Sequence, residues 1–145
     1  MIVQQVNAEA IRPLRNLVLR PSLLIETTYY DEDSHLKTIH LAYIVNKEIV
    51  SIGTFYPEND SILKSKNGYR LRGMATHPKF RRNSAASKLM KEAFIILKSK
   101  NCDILWCNAR LIALDFYKSL GFNIDGKEFN IKEIGPHFKM WKSLV

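Results

Sequence analysis

Apolar and polar positions recur at two different periods along this chain, and the switches between them mark out its elements. The opening IVQQV reads as a short strand. Asn7 stands where a helix N-cap belongs, ahead of Ile11, Leu14, Leu17 and Val18 at the spacing of one helical face, so a helix is predicted to about Arg20. Pro13 falls within it. Proline lacks a backbone donor and crowds the preceding turn, which implies a late start or a kink. Residues 21–37 are polar and irregular, with Asp31, Glu32, Asp33 and Ser34 together, and read as a loop or short helix. TIHLAYIV and EIVSIGTFY are rich in β-branched and aromatic residues, and with Asn46 and Lys47 between them they read as a hairpin.

A charged connection from Pro57 to Gly68 leads to a third strand of this run, YRLRGMAT, which Pro78 ends. Ala86, Leu89, Met90, Ala93, Phe94 and Leu97 then repeat at helical spacing as a core face, and Asn101 follows the basic end of that helix. CDILWC is nearly all apolar, as a buried central strand would be. Asn108 is expected to cap a further helix that turns Ala109, Ile112, Ala113, Phe116 and Leu120 inward and stops at Gly121, with Phe122 packed behind it. FNIDGKEFNI and PHFKMWKSL supply two last strands. The order β-α-β-β-β-α-β-α-β-β predicts a mixed α/β fold in one domain over residues 1–145, without repeats or low-complexity segments.

Composition narrows the setting. With 145 residues the chain can close a core without disulfides or a metal, and 46% apolar against 25% charged residues excludes a largely disordered chain. No apolar run approaches a membrane span, and the N-terminus lacks the basic-then-apolar order of a signal peptide, so cytoplasmic residence is expected. Cys102 and Cys107 lack metal-binding spacing and read as reduced core thiols; His35, His40, His77 and His137 are too scattered for a metal site. The net charge of +8 points to a polyanionic partner.

Candidate chemistry concentrates between Arg70 and Met90, where a strand runs through the basic turn FRRNSAA into an amphipathic helix. A helix begins with unpaired N–H groups and a partial positive charge, so an anion placed there gains donors and field together. Ser84, Ala85 and Ala86 are small enough for a ligand to approach the backbone, and Arg81 and Arg82 add formal charge beside it.

This segment resembles the acetyl-CoA-binding motif of the GNAT N-acetyltransferase superfamily, Gln/Arg-x-x-Gly-x-Gly/Ala, with Arg81, Arg82, Asn83, Ser84, Ala85 and Ala86 on its six places. Leu105 to Phe122, LWCNARLIALDFYKSLGF, resembles the family's second signature, and RPLRNLVLRP and GPHFKMWK extend the likeness over most of the chain. Ser84 departs from the motif glycine, which serves where the backbone takes positive φ or where Cβ would touch the ligand; a serine hydroxyl can instead cap the helix or donate to a phosphate oxygen.

The resemblance implies the GNAT fold and transfer of an acetyl group from acetyl-CoA to a primary amine of a small molecule or peptide. Met74, Ala75 and Thr76 would bind the acetyl and pantetheine portions, the stretch from Arg81 through Ser87 the pyrophosphate, with Asn108 and Phe116 contributing further cofactor contacts. Gly73 beside them marks a bulge or a close approach. Tyr117 would protonate the departing thiolate, a task suited to a phenol whose reference pKa is about 10. No general base stands out. Glu26, His40 and His137 are candidates, whereas Arg70 and Arg72, at places where family members carry a carboxylate, share one strand face and would favour an acceptor with an acidic group. Two other functions are weighed. One is a non-catalytic acyl-CoA-binding or sensing protein with a degenerate pyrophosphate loop; the other is a nucleic-acid-binding module, against which the core spacing of the aromatics speaks. Homodimerisation is left open.

Overall fold

The computed structural model describes residues 2–81 and 84–145. A seven-stranded sheet runs in the order β1 (Ile2–Val6), β2 (Ile39–Val45), β3 (Glu48–Pro57), β4 (Tyr69–Thr76), β5 (Ile104–Arg110), β7 (Gly135–Ser143), β6 (Asn123–Ile131). All neighbours are antiparallel except β4 and β5. Helix α1 (Ala8–Leu19) lies on one side of the sheet, and α2 (Ala85–Ser99) and α3 (Leu114–Ser119) serve the other. Two 3-10 turns, Ile25–Thr28 and Asp31–Ser34, give shape to the polar stretch after α1.

Strand alternation sets what each side receives. Leu41 and Leu71 join Leu89, Met90 and Leu97 of α2 in the larger core, while Ala42 and Ile52 point the other way to Ile11 and Leu14 of α1. Asn7 caps α1, its Oδ1 accepting from the Ala10 N–H at 3.0 Å, and Pro13 sits inside the helix. Leu17, predicted on the apolar side, is 53% exposed; Arg15 is fully buried instead. The Arg15 guanidinium donates to both Asp33 carboxylate oxygens (2.8 and 3.1 Å), to the Thr28 carbonyl (2.5 Å) and to Thr54 Oγ1 (2.8 Å). That set of partners satisfies a charge that a helix pattern alone assigns to solvent.

The turns follow local chemistry. Asn46 and Lys47 both take positive φ, 49° and 67°, as a two-residue hairpin of matching twist requires. Helix α3 ends at Gly121, φ 92°, where the Gly121 N–H bonds the Lys118 carbonyl and the Phe122 N–H the Tyr117 carbonyl. Asn108 does not cap a helix, contrary to expectation. It lies within β5, which continues to Arg110, and a 3-10 turn (Leu111–Ala113) precedes α3; that shift leaves Ile112 92% exposed.

Candidate functional site

The one parallel junction in the sheet is also its weakest. Strands β4 and β5 pair only at Tyr69–Leu105 and Arg70–Trp106, although β4 runs on to Thr76 and β5 to Arg110. Beyond that point they diverge. A glycine bulge bends β4 at the parting: Thr54 pairs Arg72 and Ile52 pairs Ala75, so Gly73 and Met74 oppose a single residue of β3, and Gly73 adopts φ 67°. A Cβ on Gly73 would stand 3.0 Å from Arg15 Nε, so the close approach there is to the buried arginine.

The cleft opened in this way holds a cavity of about 900 Å³, within the range of small-molecule sites. Met74, Ala75 and Thr76 line it from β4, and Asn108 from β5. Arg81, Ser84, Ala85, Ala86 and Ser87 line it from the turn and the first residues of α2; Phe116 and Tyr117 do so from α3. Apart from Arg82 and Asn83, which lie outside the described residues, the structure brings every residue of the expected set to one cavity.

At the head of α2 the reason for glycine in such a turn is visible. Ser84 takes φ 61° and ψ 11°, the left-handed region, and its carbonyl accepts the first helical bond from the Lys88 N–H at 2.9 Å. Its hydroxyl makes no capping bond among the described residues, so the serine brings the strain of that conformation without a cap in return. The N–H groups of the first turn remain for a ligand, on a helix of 15 residues whose first turn carries no acidic side chain. Asn108 presents a second unfilled requirement: its Oδ1 is buried and has no hydrogen-bond partner among the described residues. A carboxamide oxygen in that state calls for a donor, which an amide N–H of a pantetheine chain supplies. Both features fit an acyl-CoA.

Tyr117 is 5% exposed and packs edge-on between Phe116 and Phe122, each ring 5.2 Å away. Burial, with the Cys107 thiol beside it, pushes its phenol well above the ordinary value. The Cys107 thiol and the Tyr117 phenol lie side by side, and each shifts the other: the thiol raises the phenol and the phenol lowers the thiol. Burial dominates Cys107 all the same, raising the thiol to about 12, and it stays a reduced core group as expected.

The three candidate bases separate clearly. Glu26 is exposed and does not line the cavity. His40 is buried away from the cavity and committed on both nitrogens. Thr54 Oγ1 accepts from Arg15 and so donates to His40 Nδ1 (2.9 Å), while Nε2–H donates to the Asp33 carbonyl (3.1 Å). His137 lines the cavity. Its Nδ1–H donates to the Gly135 carbonyl at 2.8 Å, which leaves the Nε2 lone pair unengaged among the described residues. Arg70 and Arg72 also line the cavity, but each already has partners. Arg70 bonds Glu58 (3.3 Å) and lies over the Trp106 ring; Arg72 bonds Glu32 (3.4 Å) and lies over the Tyr30 ring. Both members of the pair expected to favour an acidic acceptor thus already face a carboxylate of the protein itself. Sequence reasoning did not single out Arg20 and Arg110, which line the same cavity from the end of α1 and the end of β5.

Residues 8–122 match the model of the Acetyltransferase (GNAT) family. YitI of Bacillus subtilis (strain 168), described as an uncharacterized N-acetyltransferase, is 35% identical over 142 residues, which cover 98% of this chain and 95% of YitI. Among solved structures, an aminoglycoside 6'-N-acetyltransferase complexed with coenzyme A superposes with a TM-score of 0.77 at 14% identity, covering 100% of this chain and 98% of the other. The ribosomal-protein-S18-alanine N-acetyltransferase of Escherichia coli gives the same TM-score and identity over 99% and 93% of the two chains. These two likenesses concern the fold.

Proposed function

Because the chain belongs to the acetyltransferase (GNAT) family, we propose that it is a single-domain enzyme that transfers the acetyl group of acetyl-CoA to a primary amine by direct attack in the β4–β5 cleft. The observation that carries this reading is the parting of β4 and β5, whose cleft gathers the donor-rich head of α2, Tyr117 and His137 around one cavity. The pyrophosphate would lie on the α2 N-terminus with Arg81, and the pantetheine amide on Asn108 Oδ1. The thioester would lie along the freed edge of β4 at Met74–Thr76, whose backbone groups have no β5 partner.

The neutral amine attacks the thioester carbonyl, forming the C–N bond. The amine's proton passes to His137 Nε2 or to water. The tetrahedral intermediate then collapses with cleavage of the C–S bond, and the leaving sulfur accepts a hydrogen bond from the Tyr117 phenol. A phenol held above pKa 10 is a weaker acid than a thiol of about 8.5, so the bond stabilises the thiolate more than it delivers a proton. Tyr117 is thus protonated at the start and the end of each cycle.

A thiol-release assay across an amine panel, with acetyl-CoA and longer acyl-CoAs, tests the reading; aminoglycosides and N-terminal alanine peptides belong in that panel because two structural relatives bear those names. Tyr117→Phe is expected to lower turnover by about 100-fold or more, the cost of removing one transition-state hydrogen-bond donor, while acetyl-CoA binding, read by calorimetry, stays nearly intact. Unchanged turnover with chemistry rate-limiting would remove Tyr117 from the mechanism. Binding without release of thiol by any amine would favour the acyl-CoA-sensing alternative.

A further inference from the structure

The α1 side of the cleft is cationic, and its charges are unequally matched. The pleat of β4, β5 and β7 sends Leu71, Cys107, Ala109 and Met140 into the α2-side core, so Arg70, Arg72, Arg110 and Lys139 project to the other side. Three of these four have a carboxylate: Glu58 for Arg70, Glu32 for Arg72 and Asp60 for Lys139. Arg110 has none among the described residues, and neither does Arg20, the cation that α1 contributes to the same cavity. Both are only half-exposed. Burial, followed by repulsion from Arg20, disfavours the charged form of Arg110, and only Tyr30 acts in the opposite sense.

Two guanidinium groups drawn together in a cavity without a counter-ion are an arrangement that an incoming anion completes. The cofactor's pyrophosphate already has a place, at the head of α2. Arg110 instead pairs in register with His137, beside the nitrogen assigned to take the amine's proton, and Ile131 and Ile134 close the cavity from the β6–β7 connection. We propose that Arg20 and Arg110 hold an oxyanion group of the acceptor, so that the amine acetylated here belongs to a molecule that also carries a carboxylate or phosphate. The fork of a guanidinium matches either group through two parallel bonds. This assignment rests on the acetyl-transfer reading above and names the chemical class of its acceptor.

The test compares wild type with Arg110→Gln and Arg20→Gln. Acetyl-CoA is titrated into each by calorimetry. Thiol release is then measured with pairs of amines that differ in one acidic group: glycine and glycinamide, glutamate and glutamine, phosphoethanolamine and ethanolamine, with spermidine as the polycation. Melting of the CoA-loaded proteins with each amine reports binding without turnover. In wild type the acidic member of at least one pair is expected to be preferred and to stabilise the CoA complex. Arg110→Gln is expected to raise its KM by roughly ten- to a hundredfold, the loss of a charge-assisted bond, with little change in acetyl-CoA affinity. The carboxylate and phosphate pairs identify the source of the oxyanion. Should Arg110→Gln fail to fold, Arg20→Gln carries the same expectation from the end of a helix.

Preference for the amides or for spermidine overturns the proposal, as does the absence of both turnover and stabilisation with every acidic amine. Equal loss of acetyl-CoA affinity in both variants also overturns it, by assigning the two arginines to the cofactor's phosphates. In these cases acetyl-CoA still binds. A folded wild type that shows no heat with acetyl-CoA and no thiol release with any amine instead defeats the acetyl-transfer reading itself.

Discussion

The two sides of the sheet are held by different chemistry. Against α2 and α3 the contacts are apolar side chains such as Leu71, Leu89, Met90, Leu97, Leu105 and Met140, all nearly inaccessible to water. Against α1 the apolar cluster is small, and beside it Arg15, Asp33, Thr54 and His40 form a buried polar network that anchors the 3-10 turns to the helix and to β3. An apolar face tolerates exchange of one hydrophobe for another, because hydrophobic attraction has no direction. A buried network does not, since each member leaves a defined vacancy. The α2 side therefore supplies most of the fold's adhesion, while the α1 side fixes the position of the wall that faces the cleft.

The largest break in this comparison is expected from Arg15→Met. The apolar replacement suits a buried helix position, but it leaves the Asp33 carboxylate only the Tyr30 N–H at 3.2 Å and Arg12 at 3.6 Å, so the loss should lie toward the low end of the about 3–5 kcal/mol that a broken buried pair costs. Denaturant unfolding checks this. Adding Asp33→Leu to Arg15→Met should recover much of the loss, and if it does not, the network does more than neutralise its own charges. Acidification should act next, and on this side. Burial lowers the His40 pKa below its ordinary value, so below about pH 6.5 the unfolded chain takes up a proton that the native chain refuses, and stability falls with pH. Burial alone would raise Asp33, but the Arg15 hydrogen bond and charge outweigh it and hold the carboxyl low, adding a further loss as pH falls below about 4. Each group contributes a slope of at most about 1.4 kcal/mol per pH unit. Melting temperature from pH 8 to pH 4 reads the first effect, which His40→Gln should flatten. The smallest effect is expected on the α2 side and has the opposite sign. Ser84→Gly relieves a left-handed residue that makes no cap, so stability should rise by up to about 1 kcal/mol and acetyl-CoA affinity should hold or improve; a fall in both would mean that the hydroxyl works in the phosphate site.

The elements were legible because their signals are local. Hydrophobic spacing found all three helices, Asn46–Lys47 found the hairpin turn, and Gly121 found the end of α3. The errors share one cause. Asn108 and Ala109 read as the start of a helix, because Asn before a run of helical spacing is a capping signal, yet β7 continues to pair with β5 as far as Arg110 and keeps the chain extended. Leu17 reads as part of the apolar side of α1, yet Arg15 is the residue buried there, because its partner Asp33 lies 18 residues away across an irregular segment. The residues expected to hold the cofactor could be named together because they form two contiguous stretches, which line one cavity in the structure. The Arg20 and Arg110 pair was not, because only the docking of α1 against the sheet brings residues ninety apart in sequence to one cavity.

The short β4–β5 junction has a mechanical consequence. Strands β1–β4 and β5–β7 are two panels sewn together at one end, and further stitches lie at that same end. Trp106 Nε1 donates to the Glu58 carbonyl at 2.9 Å, and the Asp103 carboxylate receives the Lys66 and Asn67 N–H groups at 2.7 and 3.2 Å. From Arg70 to Thr76 the free edge of β4 extends about 20 Å at the usual strand rise. Over such an arm a rotation of about 3° at the seam moves the far edge by about 1 Å, comparable to the tolerance of a hydrogen bond. Trp106 and Asp103 thus hold the hinge of the cleft from its closed end, outside the residues that line the cavity.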